Sequence, residues 1–158
     1  MKIEKYNPNW NNIYKQEEIK LKEIIKDEIE EIMHVGSTSI EGLMAMPIID
    51  IMICVKQLNN IPKEELLKEY KVIKDVKGEL KLTNSEGNII INIIANNSYL
   101  KDNFTMFRDH LLLHPKRMRE YNALKEEIML KDDYKQYGYR KTRFIEKTID
   151  LHKEIYMI

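Results

Sequence analysis

A single cysteine, Cys54, rules out an intrachain disulfide and fits a reducing compartment. It sits among branched apolar residues, so the thiol is expected in the core and not as a nucleophile. Neither sign of charge is in excess: Lys plus Arg and Asp plus Glu each number 26, which removes the broad electrostatic pull that a nucleic acid or an anionic membrane exerts. No stretch approaches the ~18 apolar residues of a membrane span, and the opening Met1-Lys2-Ile3-Glu4-Lys5-Tyr6 lacks an apolar core of the kind export signals carry. The expectation is a cytoplasmic protein with no membrane and no nucleic acid as partner. Neither His34 nor His114 reads as part of a zinc-ligand cluster, no Gly-x-Ser-x-Gly elbow for acyl chemistry occurs, and there is no internal repeat or low-complexity segment. The 158 residues suit one domain, residues 1–158. The chain has only five glycines and four prolines.

What is present concentrates between His34 and Val55. An apolar approach, Ile32 to Val35, runs into Gly36-Ser37-Thr38-Ser39. Glycine lets the backbone bend so that amide hydrogens converge on an anion, and the three hydroxyls of Ser37, Thr38 and Ser39 add donors. Ile40 to Ala45 has the length of one or two helical turns, whose amino end also favours negative charge, and Pro47 ends it. Ile48 to Val55 reads as a strand buried on both faces, with Asp50 as its one acid. A carboxylate so placed is costly to bury unpaired, which makes Asp50 the leading functional residue.

The rest of the chain supplies scaffold. Asn7-Pro8 opens an amphipathic helix ending near Asp27, in which Trp10 serves as a core anchor more readily than as a stacking platform. Pro62 to Tyr70 reads as a charged helix. Lys71–Val76, Glu79–Thr83 and Ile89–Ala95 read as strands of an antiparallel meander, with Asn92 interrupting the last. Three helices follow, from Ser98, from Pro115 and from about Asp132 to Tyr156, the last with Tyr137, Lys141, Phe144 and Ile145 on one side. His34 and His114 read as core or capping histidines.

Taken together, His34-Val35-Gly36-Ser37-Thr38-Ser39, Gly42-Leu43 and Pro47-Ile48-Ile49-Asp50-Ile51 resemble the GrpB family of small bacterial proteins. The Tyr6-Pro8-Trp10, Phe107-Arg108-Asp109, His114-Pro115 and Tyr121-to-Lys125 spacings extend the likeness over nearly the whole chain. Two departures are Glu41 in place of a proline and Met46 in place of a lysine. The strand, Gly-Ser turn and Asp-bearing strand also resemble the nucleotidyltransferase superfamily. That resemblance implies an α+β fold, with a mixed sheet packed by helices and a C-terminal helical part closing over Gly36, Ser37 and Asp50. It further implies a nucleoside triphosphate as partner and Mg2+ held by strand carboxylates.

Nucleotidyl transfer normally uses two such acids, and residues i and i+2 of a strand share a face. Position 52 is Met, a poor ligand for a hard cation. Asp109 is the one further acid proposed as a metal ligand beside Asp50, against the alternative of an ion pair with Arg108. Arg108, Lys125 and Lys141, on or beside apolar helical faces, are the expected phosphate cations. The expected activity is transfer of a nucleotidyl group to a small acceptor; the alternative is a non-catalytic module that binds a nucleotide or coenzyme A precursor, since some GrpB-like domains are fused to dephospho-coenzyme A kinase.

Overall fold

The computed structural model describes residues 1–157. Asn7 Oδ1 accepts from the Asn9 amide at 2.9 Å, closing the first turn of α1 (Asn9–Ile25). This helix presents Trp10, Tyr14, Leu21 and Ile25 to the sheet, and Trp10, 2% exposed, packs edge-on against Tyr6. The chain then runs through β1 (Ile29–Val35), a turn of 3-10 helix at Ser37–Ser39, β2 (Ile49–Val55), α2 (Lys63–Glu69), β3 (Lys71–Val76), β4 (Glu79–Thr83) and β5 (Ile89–Ala95). The helices α3 (Tyr99–Leu113), α4 (Pro115–Lys131) and α5 (Tyr137–Tyr156) complete it.

Among the described residues the strands form one mixed sheet in the order β1-β2-β5-β4-β3, with β2 and β5 parallel and the other pairs antiparallel. This is the expected α+β arrangement. Because side chains alternate along a strand, β2 divides its residues between two layers. Ile49, Ile51, Ile53 and Val55 join the core under α1, whereas Met52 and Cys54 join Val35 and Ile94 beneath Leu100 and Phe104 of α3. Asp50 has the parity of Met52 and so faces the helical side. A further cluster, including Ile40, Leu43, Phe107, Tyr121 and Ile149, seats the C-terminal helices on the loop between β1 and β2.

Three boundaries differ from the sequence reading. β1 begins at Ile29, upstream of the expected apolar approach, because an outermost strand tolerates Glu30, exposed to solvent, and Glu31, ion-paired to Lys101 of α3 at 2.7 Å. Ile40 to Ala45 forms no helix: the turn at Ser37–Ser39 precedes it, Gly42 takes φ +88°, and Ala45 pairs with Glu4 through two backbone hydrogen bonds. α5 starts at Tyr137 and not near Asp132, since Asp132 adopts a left-handed conformation (φ 51°, ψ 32°) that ends α4.

Candidate functional site

Val35 and Asp50 are partners in the β1–β2 ladder, so the chain bends immediately beside the acid. Gly36 adopts φ +74° and ψ −173°, a region almost reserved for glycine. A Cβ placed there would lie 2.6 Å from Asp50 Oδ2. The missing side chain is what allows the carboxylate to lie against the bend.

The hydroxyls of the bend divide sharply in role. Thr38, 2% exposed, donates to the Ile48 carbonyl at 2.9 Å and accepts from His34 Nε2 at 3.0 Å. Ser39 Oγ donates to the Gly36 carbonyl at 2.6 Å. Both hydroxyls therefore hold the loop's shape, which corrects their expected role as phosphate donors. His34 stacks on Tyr14 at 5.0 Å, and burial pushes its pKa down to about 4, so it is a neutral core histidine, as expected. His114, bonded through Nε2 to the Tyr156 hydroxyl at 2.7 Å, is structural too.

Of the three, Ser37 alone lines the cavities beside Asp50. Behind it lies Lys125 of α4, fully buried, whose Nζ donates to Ser37 Oγ at 2.9 Å and to the Met44 carbonyl at 2.5 Å and sits 3.9 Å from the Tyr121 ring centroid. Burial draws this amine well below the usual lysine range. Lys125 is thus a positioning residue for Ser37 and not the solvent-facing phosphate cation expected from sequence. Replacing it with methionine keeps the volume but strands the Met44 carbonyl. We expect a net loss of about 1–2 kcal/mol in denaturant unfolding, because the lost hydrogen bonds outweigh the relief of a buried amine. The Tyr121 hydroxyl, without a hydrogen-bond partner among the described residues, lies in the same buried layer, beside Ser37 and Asp50.

Two cavities meet at Ser37, Asp50 and Lys141. One, of about 250 Å³, adds Met46, Lys81 and Tyr137; the other, of about 340 Å³, adds Gly36 and side chains of α3 and α5. Among the described residues the Asp50 side chain has no hydrogen-bonding partner. Burial pushes its pKa up to about 6, opposed by the charges of Lys141 and Lys81. A larger hollow, of about 600 Å³, lies between the Leu58–Asn60 turn and the β3–β4 hairpin, but two of its charged groups, Lys63 and Asp75, bond each other at 2.5 Å. Convergent unpaired groups make the smaller pair of cavities the chemically competent place.

Of the predicted residues, Gly36, Ser37, Asp50 and Lys141 come together. Arg108 and Asp109 do not join them: they pair with each other at 3.1 Å, Arg108 rests on Met33, and neither lines either cavity. Asp109, its side chain 47% exposed, is the ion-pair partner and no neighbour of Asp50 in the cleft. Asn92 is buried, with its amide directed to the Ile51 carbonyl at 3.3 Å. Met52, where a second strand acid would stand, is covered by α3. Among the described residues no group of three or more His, Cys, Asp or Glu is arranged to hold a metal. One carboxylate and a hydroxyl do not make a cage, yet they fit Mg2+ that arrives on phosphates, since that ion commonly takes one or two carboxylates and fills its shell with phosphate oxygens and water.

Lys81 and Glu146 were not singled out from sequence. Lys81 lies opposite Asn92, which lies opposite Met52, and this cross-strand register puts Lys81 on the face of Asp50.

Against known proteins, a family model described as GrpB protein matches residues 1–150. The glutamate-rich protein GrpB of Alkalihalophilus pseudofirmus is 28% identical over 159 residues, covering 92% of this chain and 91% of the relative. The UPF0157 protein YqkA of Bacillus subtilis is 29% identical over 152 residues, 89% of this chain but only 44% of YqkA. The crystal structure of conserved protein GrpB from Enterococcus faecalis superposes with a TM-score of 0.84 over 99% of both chains at 24% identity, a likeness of fold.

Proposed function

The chain belongs to the GrpB family, and from that premise and the geometry of the cleft we propose that it binds a nucleoside triphosphate or a closely related phosphorylated small molecule. The observation that carries this reading is the convergence of the Ser37 hydroxyl, the Asp50 carboxylate and the Lys141 ammonium where the two cavities meet, with Lys81 beyond. Two cations that form no salt bridge among the described residues and a held hydroxyl suit phosphate oxygens. Asp50 suits the Mg2+ that triphosphates carry, and when bound that ion supplies charge neutralisation at the phosphates.

The activity such an arrangement serves is nucleotidyl transfer: an acceptor hydroxyl attacks the α-phosphorus, its proton leaves to a base, and pyrophosphate departs. Asp50, unpaired and with its pKa near 6, is suited to touch either the ion or that proton. A second reading, binding without turnover, draws on Met52, because the site has a single strand acid. A coenzyme A precursor is then an equal candidate ligand.

Calorimetric titration with ATP and Mg2+ tests binding. Lys141→Ala is expected to weaken it at least tenfold, as loss of a charge-assisted hydrogen bond of ~1.5–3 kcal/mol requires. Pyrophosphate release that vanishes in Asp50→Ala supports transfer; tight binding with no release supports the second reading. No heat and no thermal shift with ATP or a coenzyme A precursor overturns both.

A further inference from the structure

We infer that the larger cavity selects the second half of the ligand, a nucleobase that carries an exocyclic amino group; this rests on the phosphate reading above. The cavity, of about 340 Å³, leaves the junction at Ser37 and Asp50 and runs between α3 and α5. Leu100, Phe104, Phe107 and Ile145 give it apolar walls with two aromatic rings, a surface that suits a flat heteroaromatic ring. Beyond the shared Ser37, Asp50 and Lys141, its polar wall groups do not suit phosphate. Asn103 offers an amide, and Glu146, exposed on α5, offers a carboxylate, which only accepts hydrogen bonds and repels further phosphate.

The ion pairing of α5 runs through Arg140 to Glu127, at 3.1 Å, and among the described residues Glu146, which lines the cavity, forms no salt bridge. The two cavities thereby differ in sign as well as polarity. The smaller has Lys81 and the larger has Glu146, with Lys141 common to both. A ligand with a polyanion at one end and an amino-bearing ring at the other satisfies both at once. A carbonyl in place of the amino group would meet the Glu146 carboxylate acceptor to acceptor, which is how a polar site discriminates between near-isosteric groups.

The test uses the intact protein, Mg2+ and four kinds of probe: inorganic tripolyphosphate, adenosine, and the two near-isosteric pairs ATP with ITP and CTP with UTP. Expected is ATP binding at least tenfold tighter than tripolyphosphate. The amino-bearing member of each pair should bind roughly tenfold tighter than its carbonyl counterpart, as a hydrogen bond to a charged group gives. Glu146→Gln should bring the members of each pair within about twofold and leave tripolyphosphate unchanged. ATP no tighter than tripolyphosphate, equal affinities within the wild-type pairs, or a preference that survives Glu146→Gln overturns the inference while leaving the phosphate reading standing. Adenosine binding with tripolyphosphate inert would overturn the phosphate reading and keep the base site; no probe binding overturns both.

Discussion

Gly36→Ala is expected to lower stability by about 2–5 kcal/mol and the melting temperature by roughly 5–15 °C. Two independent costs add. The first is backbone strain, since φ +74° with ψ −173° is a conformation that a Cβ opposes wherever it occurs. The second is local: the new methyl would lie 2.6 Å from Asp50 Oδ2 and 3.1 Å from Asp50 Cβ. Something must shift, and both partners are held, Asp50 in a central strand and Gly36 by the hydrogen bonds of the Ser37–Ser39 turn to its carbonyl. A double-mutant cycle with Asp50→Ala separates the two costs. Removing the carboxylate relieves the contact and not the strain, so the pair should be less damaging than the sum by about 1–2 kcal/mol. Strict additivity in chemical denaturation would show that the bend and the acid are not in contact.

That contact is also the part of the site most legible in the sequence. A Gly-Ser bend and a lone acid in an apolar strand suffice to place them opposite one another, once the strands on either side pair as neighbours. The fold was readable for the same reason: β2, β4 and β5 alternate or run apolar, and Pro115 and Ser98 stand at helix starts. What could not be read depends on contacts between distant segments. Ile40 to Ala45 has a length that suits a short helix, but Asn122 bonds Met44 and Gly42 across the loop, at 2.8 and 3.0 Å, and Lys125 takes the Met44 carbonyl. Local propensity gives way to these bonds. The same limit applies to hydroxyls. Nothing in the residues Ser37, Thr38 and Ser39 says which of them turns inward, and only the positions of the Ile48 and Gly36 carbonyls decide it. Lys125 reads from sequence as a cation facing the cleft, whereas the structure buries it against Ser37 and the Met44 carbonyl. A lysine on an apolar helical face reads either as a cleft cation or as a buried stem with its head in water, whereas here two buried acceptors hold the ammonium beneath the loop. Lys81 needed the strand register, and Glu146 needed the packing of α5 beside α3, neither of which a single sequence carries.

Asp50→Asn is expected to stabilise the protein at pH 7 by about 1–3 kcal/mol, raising the melting temperature by roughly 3–10 °C, while removing the proposed response to ATP and Mg2+. Burial raises the folded-state pKa of Asp50 to about 6, above the value near 4 of an unfolded chain. The folded state therefore holds its proton more tightly. Below pH 4 both states are protonated and nothing is lost; as pH rises from about 4 to 6 the unfolded carboxyl ionises freely while the folded one resists, and stability falls. The full cost persists above pH 6, which is what an uncharged amide of the same shape removes. His34 acts in the opposite sense. Its folded pKa of about 4 lies below the ordinary 6.5, so its protonation erodes stability as pH falls from 6.5 towards 4. Over that shared window the two groups oppose each other in the wild type, and its stability should change little with pH on their account. In Asp50→Asn the histidine acts alone, and stability should decline visibly from pH 6.5 to 4. Denaturant unfolding of both proteins across this range checks the sign. A variant less stable than wild type at pH 7 would mean that Asp50 has a structural partner whose loss outweighs the burial of its charge, and that the acid serves the fold before it serves a ligand. A stabilised variant that no longer responds to ligand places the acid among those groups that a fold bears at a cost in stability because the site requires them.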